Sequence, residues 1–265
     1  MDDRRTFGGI VGMALEVYGQ QFGTFFAIAL VGQFLSTLGR AFLSEVSWEE
    51  PILNNLALVA AGGVAFLIGL IPHAMQVPAL LAAVNDTYRG EPTSLGRAFD
   101  RASTRLTWET AWVNLIAGWF AFGGLLLGIV PGILFWVWFC LADVAVVLEG
   151  KRDLNALKRS QRLVRGYGGK ALALLLVGLL AAALPAGLVR MMVRGTMGGL
   201  LSGLMGIVAT PFQYALLVLL YYDLKARKGE AAEEGFNRDG QDEEQGRVGS
   251  AERMESGEPE QGAQP

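Results

Sequence analysis

LNNLALVAAGGVAFLIGLIPHAM, residues 53–75, carries no charged side chain from end to end. As a helix rising about 1.5 Å per residue, it is roughly 35 Å long. The hydrocarbon core of a bilayer is about 30 Å thick. A helix of this length on a soluble protein shows a polar face at every turn, and this one shows none. The stretch therefore predicts a membrane span, kinked near Pro72 and Pro78 and ending near Tyr88.

Five further segments meet or approach the same length. They are residues 22–43, which contain Gln33 and end near Arg40, then 110–130, 133–148, 171–189 and 200–222. Pro131-Gly132 predicts a tight turn between the third and fourth spans, and Pro211 a kink in the sixth. The expected fold class is an all-α polytopic membrane bundle of six transmembrane helices.

Shorter segments of a different kind precede the first, third and fifth spans. Phe7, Ile10, Val11, Ala14 and Tyr18 recur at helical spacing, as do Leu95, Ala98, Phe99, Ala102 and Leu106, and Leu154, Leu157, Gln161 and Val164. These predict three amphipathic helices, over about 6–19, 94–106 and 153–165, lying in the membrane interface with the apolar face down. The order amphipathic helix, span, span occurs three times, which suggests a threefold internal repeat.

Charge is unevenly distributed. Residues 229–265 hold eleven acids and three bases, a net −8, so that the whole-chain −3 leaves +5 for residues 1–228. The tail has no apolar run with which to offset chain entropy, and it is expected to be disordered. In the body, sixteen Lys and Arg collect on one side of the proposed membrane: Arg4 and Arg5, the loop before the third span, the loop before the fifth, and residues 225–228. Only Arg40, Arg190 and Arg194 fall on the other side, while the first outer loop carries Glu45, Glu49 and Glu50. By the positive-inside rule both termini and all three amphipathic helices are expected in the cytoplasm, with the acidic tail. The N-terminus lacks a short apolar core followed by a cleavage site, so the first span is expected to act as an uncleaved insertion signal.

Several kinds of chemistry are disfavoured. One cysteine, Cys140, allows no internal disulfide and no Cys-rich metal site, and one histidine, His73, allows no paired-His zinc motif. No cofactor is expected. Gly62-Gly63, Gly123-Gly124 and Gly198-Gly199 lie in or beside spans, where close helix packing explains them better than phosphate binding. Ser202 lacks the flanking glycines of a nucleophile elbow. The basic clusters flank spans without interleaved aromatics, which points to anionic lipid headgroups and away from nucleic acid. Lys158, Arg159, Arg162 and Arg165, with Arg97 and Arg101, are the expected headgroup contacts.

The residues out of place are those at bilayer depth. Asp143, in the fourth span, is either an ion or proton site or the partner of an amphipathic-helix arginine nearer the interface. His73 and Gln76, after Pro72, either build a substrate site at a broken helix or bond within the bundle. Asn114 and Gln213 are expected to bond between helices.

A family resemblance rests on Ile129-Val130-Pro131-Gly132-Ile133, Val146-Val147-Leu148-Glu149-Gly150, Ala156-Leu157-Lys158-Arg159-Ser160 with Leu163-Val164-Arg165-Gly166, and Leu220-Tyr221-Tyr222-Asp223-Leu224-Lys225. Together with Phe22-Gly23-Thr24-Phe25, these resemble the membrane domain attached to some bacterial glycerophosphoryl diester phosphodiesterases, over about residues 6–228. The resemblance implies a multi-span domain in a prokaryotic cell membrane. It carries over no phosphodiesterase residues, because that chemistry belongs to a soluble barrel whose His-Arg-Gly start is absent from this chain.

The leading functional expectation is a non-enzymatic membrane protein in membrane organisation, lipid interaction or anchoring of a protein partner. The alternative is a transporter or lipid-translocating protein in which Asp143, His73, Gln76 and Gln213 line a polar path. An intramembrane enzyme would need a nucleophile and base in contact in a wet cavity.

Overall fold

The computed structural model describes residues 6–43, 46 and 55–229. Arg4, Arg5, Glu45, Glu49, Glu50 and the acidic stretch 230–265 lie outside the described residues. Among those described, ten helices and no strand are found: α1 Phe7–Gln20, α2 Phe22–Leu43, α3 Leu56–Arg89, α4 Leu95–Arg101, α5 Thr104–Leu127, α6 Ile129–Phe139, α7 Ala142–Glu149, α8 Asp153–Val164, α9 Gly168–Met192 and α10 Gly195–Arg227. Six are long and apolar enough to cross a membrane, with α6 and α7 counting as one broken span over Ile129–Glu149. The chain is an all-α, multi-pass integral membrane bundle. It divides into two units, Met1–Tyr222 and Asp223–Pro265. Within the second, Arg227 Nε pairs with Asp223 one turn earlier at 3.0 Å.

Short helix, long helix, long helix recurs three times along the chain. Local chemistry sets the joints. Thr6 caps α1 by accepting the Gly9 N–H at 3.1 Å, and Ser94 caps α4 through the Arg97 N–H at 3.4 Å. Ser103 accepts the Leu106 N–H at 3.3 Å and so starts α5 there. The expected helix 94–106 is thus two helices: α4 stops at Arg101, and Arg105 and Leu106 belong to the third span. The turn expected at Pro131-Gly132 is instead made by Gly128, whose φ of 147° few other residues adopt. Its N–H bonds the Gly124 and Leu125 carbonyls. Pro131 sits in the first turn of α6, where a missing N–H breaks no helical bond. α3 passes through Pro72 and Pro78 as one helix and ends at Arg89, beside the expected end near Tyr88.

Burial is concentrated at the basic end. Ala79 through Thr87 of α3 are all buried, as are most residues of α10 from Ala215 to Tyr221. Toward the opposite end, Leu126, Leu127, Ile129 and Val130 at the α5–α6 tip, and Leu184, Leu188, Met191 and Met192 of α9, stand exposed. An apolar surface of that extent is stable only against lipid. The short helices do not simply float on the interface. Ala156, Leu157, Leu163 and Val164 of α8 are buried, and Ala156 and Leu157 form with Val113 of α5 and Ala142, Ala145 and Val146 of α7 a common core. Leu154, expected on the apolar face, is half exposed, because α8 docks on protein and its buried face is rotated accordingly.

Two antiparallel helices pack with no room for side chains between them. A Cβ on Gly39 of α2 would lie 2.5 Å from Phe66 N and 2.6 Å from Gly62 O of α3. One on Gly69 of α3 would lie 2.5 Å from Ser36 N. Gly32, further along the seam, receives the Gln76 side chain. Of the glycine pairs expected to serve packing, Gly62 and Gly124 do so, whereas Gly63 and Gly123 have nothing within 4 Å. In the third pair, Gly198 abuts the Val193 backbone.

Candidate functional site: a polar cavity inside the bundle

Asp143, His73, Gln76 and Gln213 come from three spans and line a single cavity of about 440 Å³. Gln33 and Asn114 join them, and so do Thr210 and Tyr214 of α10, which the sequence reading did not single out. Gln33 and Gln76 are buried in its wall, whereas His73 and Asn114 are exposed. The cavity is therefore open to the outside of the bundle.

Two of the walls carry prolines and a third is broken where they meet the cavity. In α3, Pro72 and Pro78 bracket His73 and Gln76, and each removes a backbone N–H from the helical ladder. In α10, Pro211 falls between Thr210 and Gln213. In the fourth span the helix breaks outright between Phe139 and Ala142, placing Cys140 at the break and Asp143 in the first turn of α7. That break is held from outside the span by Ser160 of α8, which is fully buried. Its hydroxyl donates to the Trp138 carbonyl at 2.7 Å and accepts the Leu141 N–H at 3.0 Å. A short helix that the sequence presents as a cationic surface element thus supplies the polar plug that fixes Asp143. The available signal was a serine on the face shared by Ala156, Leu157, Leu163 and Val164.

The hydrogen-bond inventory separates structural from unsatisfied groups. Gln33 Nε2 donates to Thr210 Oγ1 at 3.0 Å, tying α2 to α10, and the Tyr18 hydroxyl donates to the Val208 carbonyl at 2.8 Å, tying α1 to α10. The expected interhelical role of Gln213 is not met by a hydrogen bond; it lines the cavity and packs beside Gly178. Asn114 lies beside the Asp143 carboxylate. Among the described residues Asp143 has no basic partner, so the pairing with an amphipathic-helix arginine is not observed. Asp143 Oδ1 and Gln76 Oε1 are both shielded oxygens with no hydrogen-bond partner in the protein. Such a group forgoes about 1–3 kcal/mol of hydrogen bonding, more if charged.

The expected headgroup cations divide. Arg159 turns inward and grips Glu149 of α7 with Nε and Nη2 at 2.7–2.9 Å, while the Tyr221 hydroxyl of α10 donates to the same carboxylate at 2.7 Å. Arg101 of α4 pairs with the buried Asp86 of α3, and reaches Glu91 at 3.7 Å. In two successive units, then, an acid at the end of the second span holds an arginine of the next short helix. Arg97 donates to the Pro92 carbonyl yet remains exposed, as do Lys158, Arg162 and Arg165. Among the described residues no cluster of three metal-ligating side chains is present.

The fold and the cavity define a class: a six-span integral membrane protein with an acceptor-rich polar chamber inside the bundle. Comparison with protein-family models, with curated proteins and with solved structures found no match.

Proposed function

We propose that the chain is a transporter-class membrane protein that admits a polar, hydrogen-bond-donating or cationic group into the Asp143 cavity, whether of a solute or of a lipid headgroup. One observation carries this reading: Asp143 and Gln76, each holding a buried oxygen without a hydrogen-bond partner, belong to the wall of the same chamber. A carboxylate at bilayer depth costs at least a few kcal/mol unless water, protein or a ligand meets it. The helix break beside Asp143, with prolines flanking His73, Gln76 and Gln213 in continuous helices, favours the reading further, since discontinuous helices line the binding sites of many transporters. The convergence of these four polar residues favours this reading over a purely organising or anchoring role.

Cys140, the only cysteine, lines the cavity and provides a built-in probe. A permanently cationic trimethylammonioethyl methanethiosulfonate should modify it in the folded protein roughly tenfold faster than the anionic sulfonatoethyl reagent. That ratio corresponds to about 1.4 kcal/mol of attraction, modest for charges a few ångströms apart. Asp143→Asn should bring the two rates together. Equal rates for the two reagents in wild type, or a charge preference unchanged in Asp143→Asn, rules the reading out.

A second reading concerns the interface, and the exposure of Lys158, Arg162, Arg165 and Arg97 supports it. These residues contact anionic headgroups on the cytoplasmic side of a prokaryotic plasma membrane, with both termini on that side. An impermeant amine reagent should then reach Lys158 in inverted vesicles only, and more slowly when the lipid is anionic. Labelling in right-side-out vesicles removes the orientation; rates indifferent to lipid charge remove the contact. The likeness to phosphodiesterase-linked membrane domains stands beside this as a proposal about ancestry, without any phosphodiesterase activity.

A further inference from the structure

We propose that a second chamber, at the end of the bundle opposite the basic loops, binds a phosphate group between Arg40 of α2 and Arg190 of α9. Both guanidiniums line one pocket of about 390 Å³, together with Thr37, Ser202 and a wall of small residues that includes Gly203 and Gly206. Each is tethered by a hydroxyl. Arg40 Nη2 lies 3.4 Å from Thr37 Oγ1, and Arg190 Nε donates to Ser202 Oγ at 3.2 Å, while the Ser202 hydroxyl donates to the Gly199 carbonyl at 2.9 Å.

Arg101, Arg105, Arg152, Arg159 and Arg227 all pair with carboxylates. Among the described residues neither Arg40 nor Arg190 does so. Among the described residues Arg97, Arg165 and Arg194 also lack a carboxylate partner, but Arg40 and Arg190 are the pair that faces one pocket with no acid in its lining. Two like charges facing one pocket repel, and an oxyanion between them turns that repulsion into charge-assisted hydrogen bonds. Arginine offers five donors in a planar fork suited to phosphate oxygens, and the hydroxyl tethers leave most of those donors uncommitted. The small-residue wall leaves room for a tetrahedral group to approach. Gln33 lines this pocket as well as the Asp143 cavity, so the anion-binding and acceptor-rich chambers share a wall. The inference does not depend on what Asp143 binds.

The test uses the full chain in neutral phosphatidylcholine nanodiscs, with two probes: inorganic phosphate, and phosphatidic acid added to the bilayer. Thermal stabilisation and native mass spectrometry read binding. Wild type should be stabilised by at least one probe, and Arg40→Gln/Arg190→Gln should weaken that binding by roughly tenfold or more, the equivalent of one charged hydrogen bond. Arg40→Lys/Arg190→Lys should retain part of it. Stabilisation by inorganic phosphate points to a soluble phosphoester, and stabilisation by phosphatidic acid alone to a lipid headgroup; either supports the site. Two results overturn it: no stabilisation of wild type by either probe, or unchanged binding in the double Gln variant. An unchanged Cys140 labelling rate shows that the variants are folded, and Asp143→Asn should leave phosphate binding intact, so the two proposals fail separately.

Discussion

Glu149→Ala is expected to destabilise the bundle by about 3 kcal/mol, the low end for removing one partner of a buried ion pair. Glu149 and Arg159 each have side chains only 11% exposed, with three N–O contacts of 2.7–2.9 Å between them, and Tyr221 donates to the same carboxylate. Truncation removes the carboxylate that meets the Arg159 guanidinium in a place that water barely reaches, and leaves the Tyr221 hydroxyl without that acceptor. It also loosens three elements together, because the carboxylate joins α7, α8 and α10. Glu149→Gln should lose roughly half as much, since an amide oxygen still accepts one charged bond. Glu149→Leu/Arg159→Leu should recover part of the loss, because the apolar pair leaves no isolated charge. Reversible unfolding in mixed micelles measures all three. An Ala variant within about 0.5 kcal/mol of wild type, the range of ordinary surface substitutions, would show that the clamp is not structural.

The second large effect is expected at the α2–α3 seam. Gly39→Val should cost about 2–3 kcal/mol, the upper part of the usual range for overpacking. The added Cβ meets backbone atoms on the facing helix, Phe66 N at 2.5 Å and Gly62 O at 2.6 Å, and backbone cannot rotate away as a side-chain end can. The helices must separate, and the separation propagates along the seam to Gly32, where Gln76 packs before reaching the cavity. Gly39→Val should therefore also change the rate of Cys140 modification. Gly63→Ala is the matched control: nothing lies within 4 Å of its Cβ, so stability should hold or rise by up to about 1 kcal/mol through helix propensity. Equal unfolding midpoints for wild type and Gly39→Val would mean that the seam is not close-packed in the membrane.

Apolar run length decided most of the architecture in advance. Six segments too long and too apolar for a soluble helix had to become spans, because in hydrocarbon a backbone satisfies its hydrogen bonds only within its own helix or in a closed barrel. The three short helices were legible from periodicity, and the odd residues Asp143, His73, Gln76 and Gln213 from their cost at bilayer depth. Boundaries that depend on a single cap were not legible. Ser103 splits one expected helix in two, and Gly128 moves a turn three residues ahead of Pro131. On α8 the expected Leu157 and Val164 are buried but Leu154 is half exposed, because periodicity cannot tell docking on protein from resting on lipid.

What the sequence determined by itself is the membrane as solvent: hydrophobic length and charge asymmetry are additive properties that can be summed along a chain. What only the tertiary structure decided is convergence. Asp143 and Gln213 lie far along the chain from His73 and Gln76, and nothing in that separation says that the four share a chamber. The same holds for Ser160, which bridges a helix break from outside it, and for Arg159, whose guanidinium turns from the lipid side to Glu149. Such contacts depend on rotations of packed helices about their axes, and those are set by close-packed seams such as Gly39 against Gly62 rather than by any local pattern.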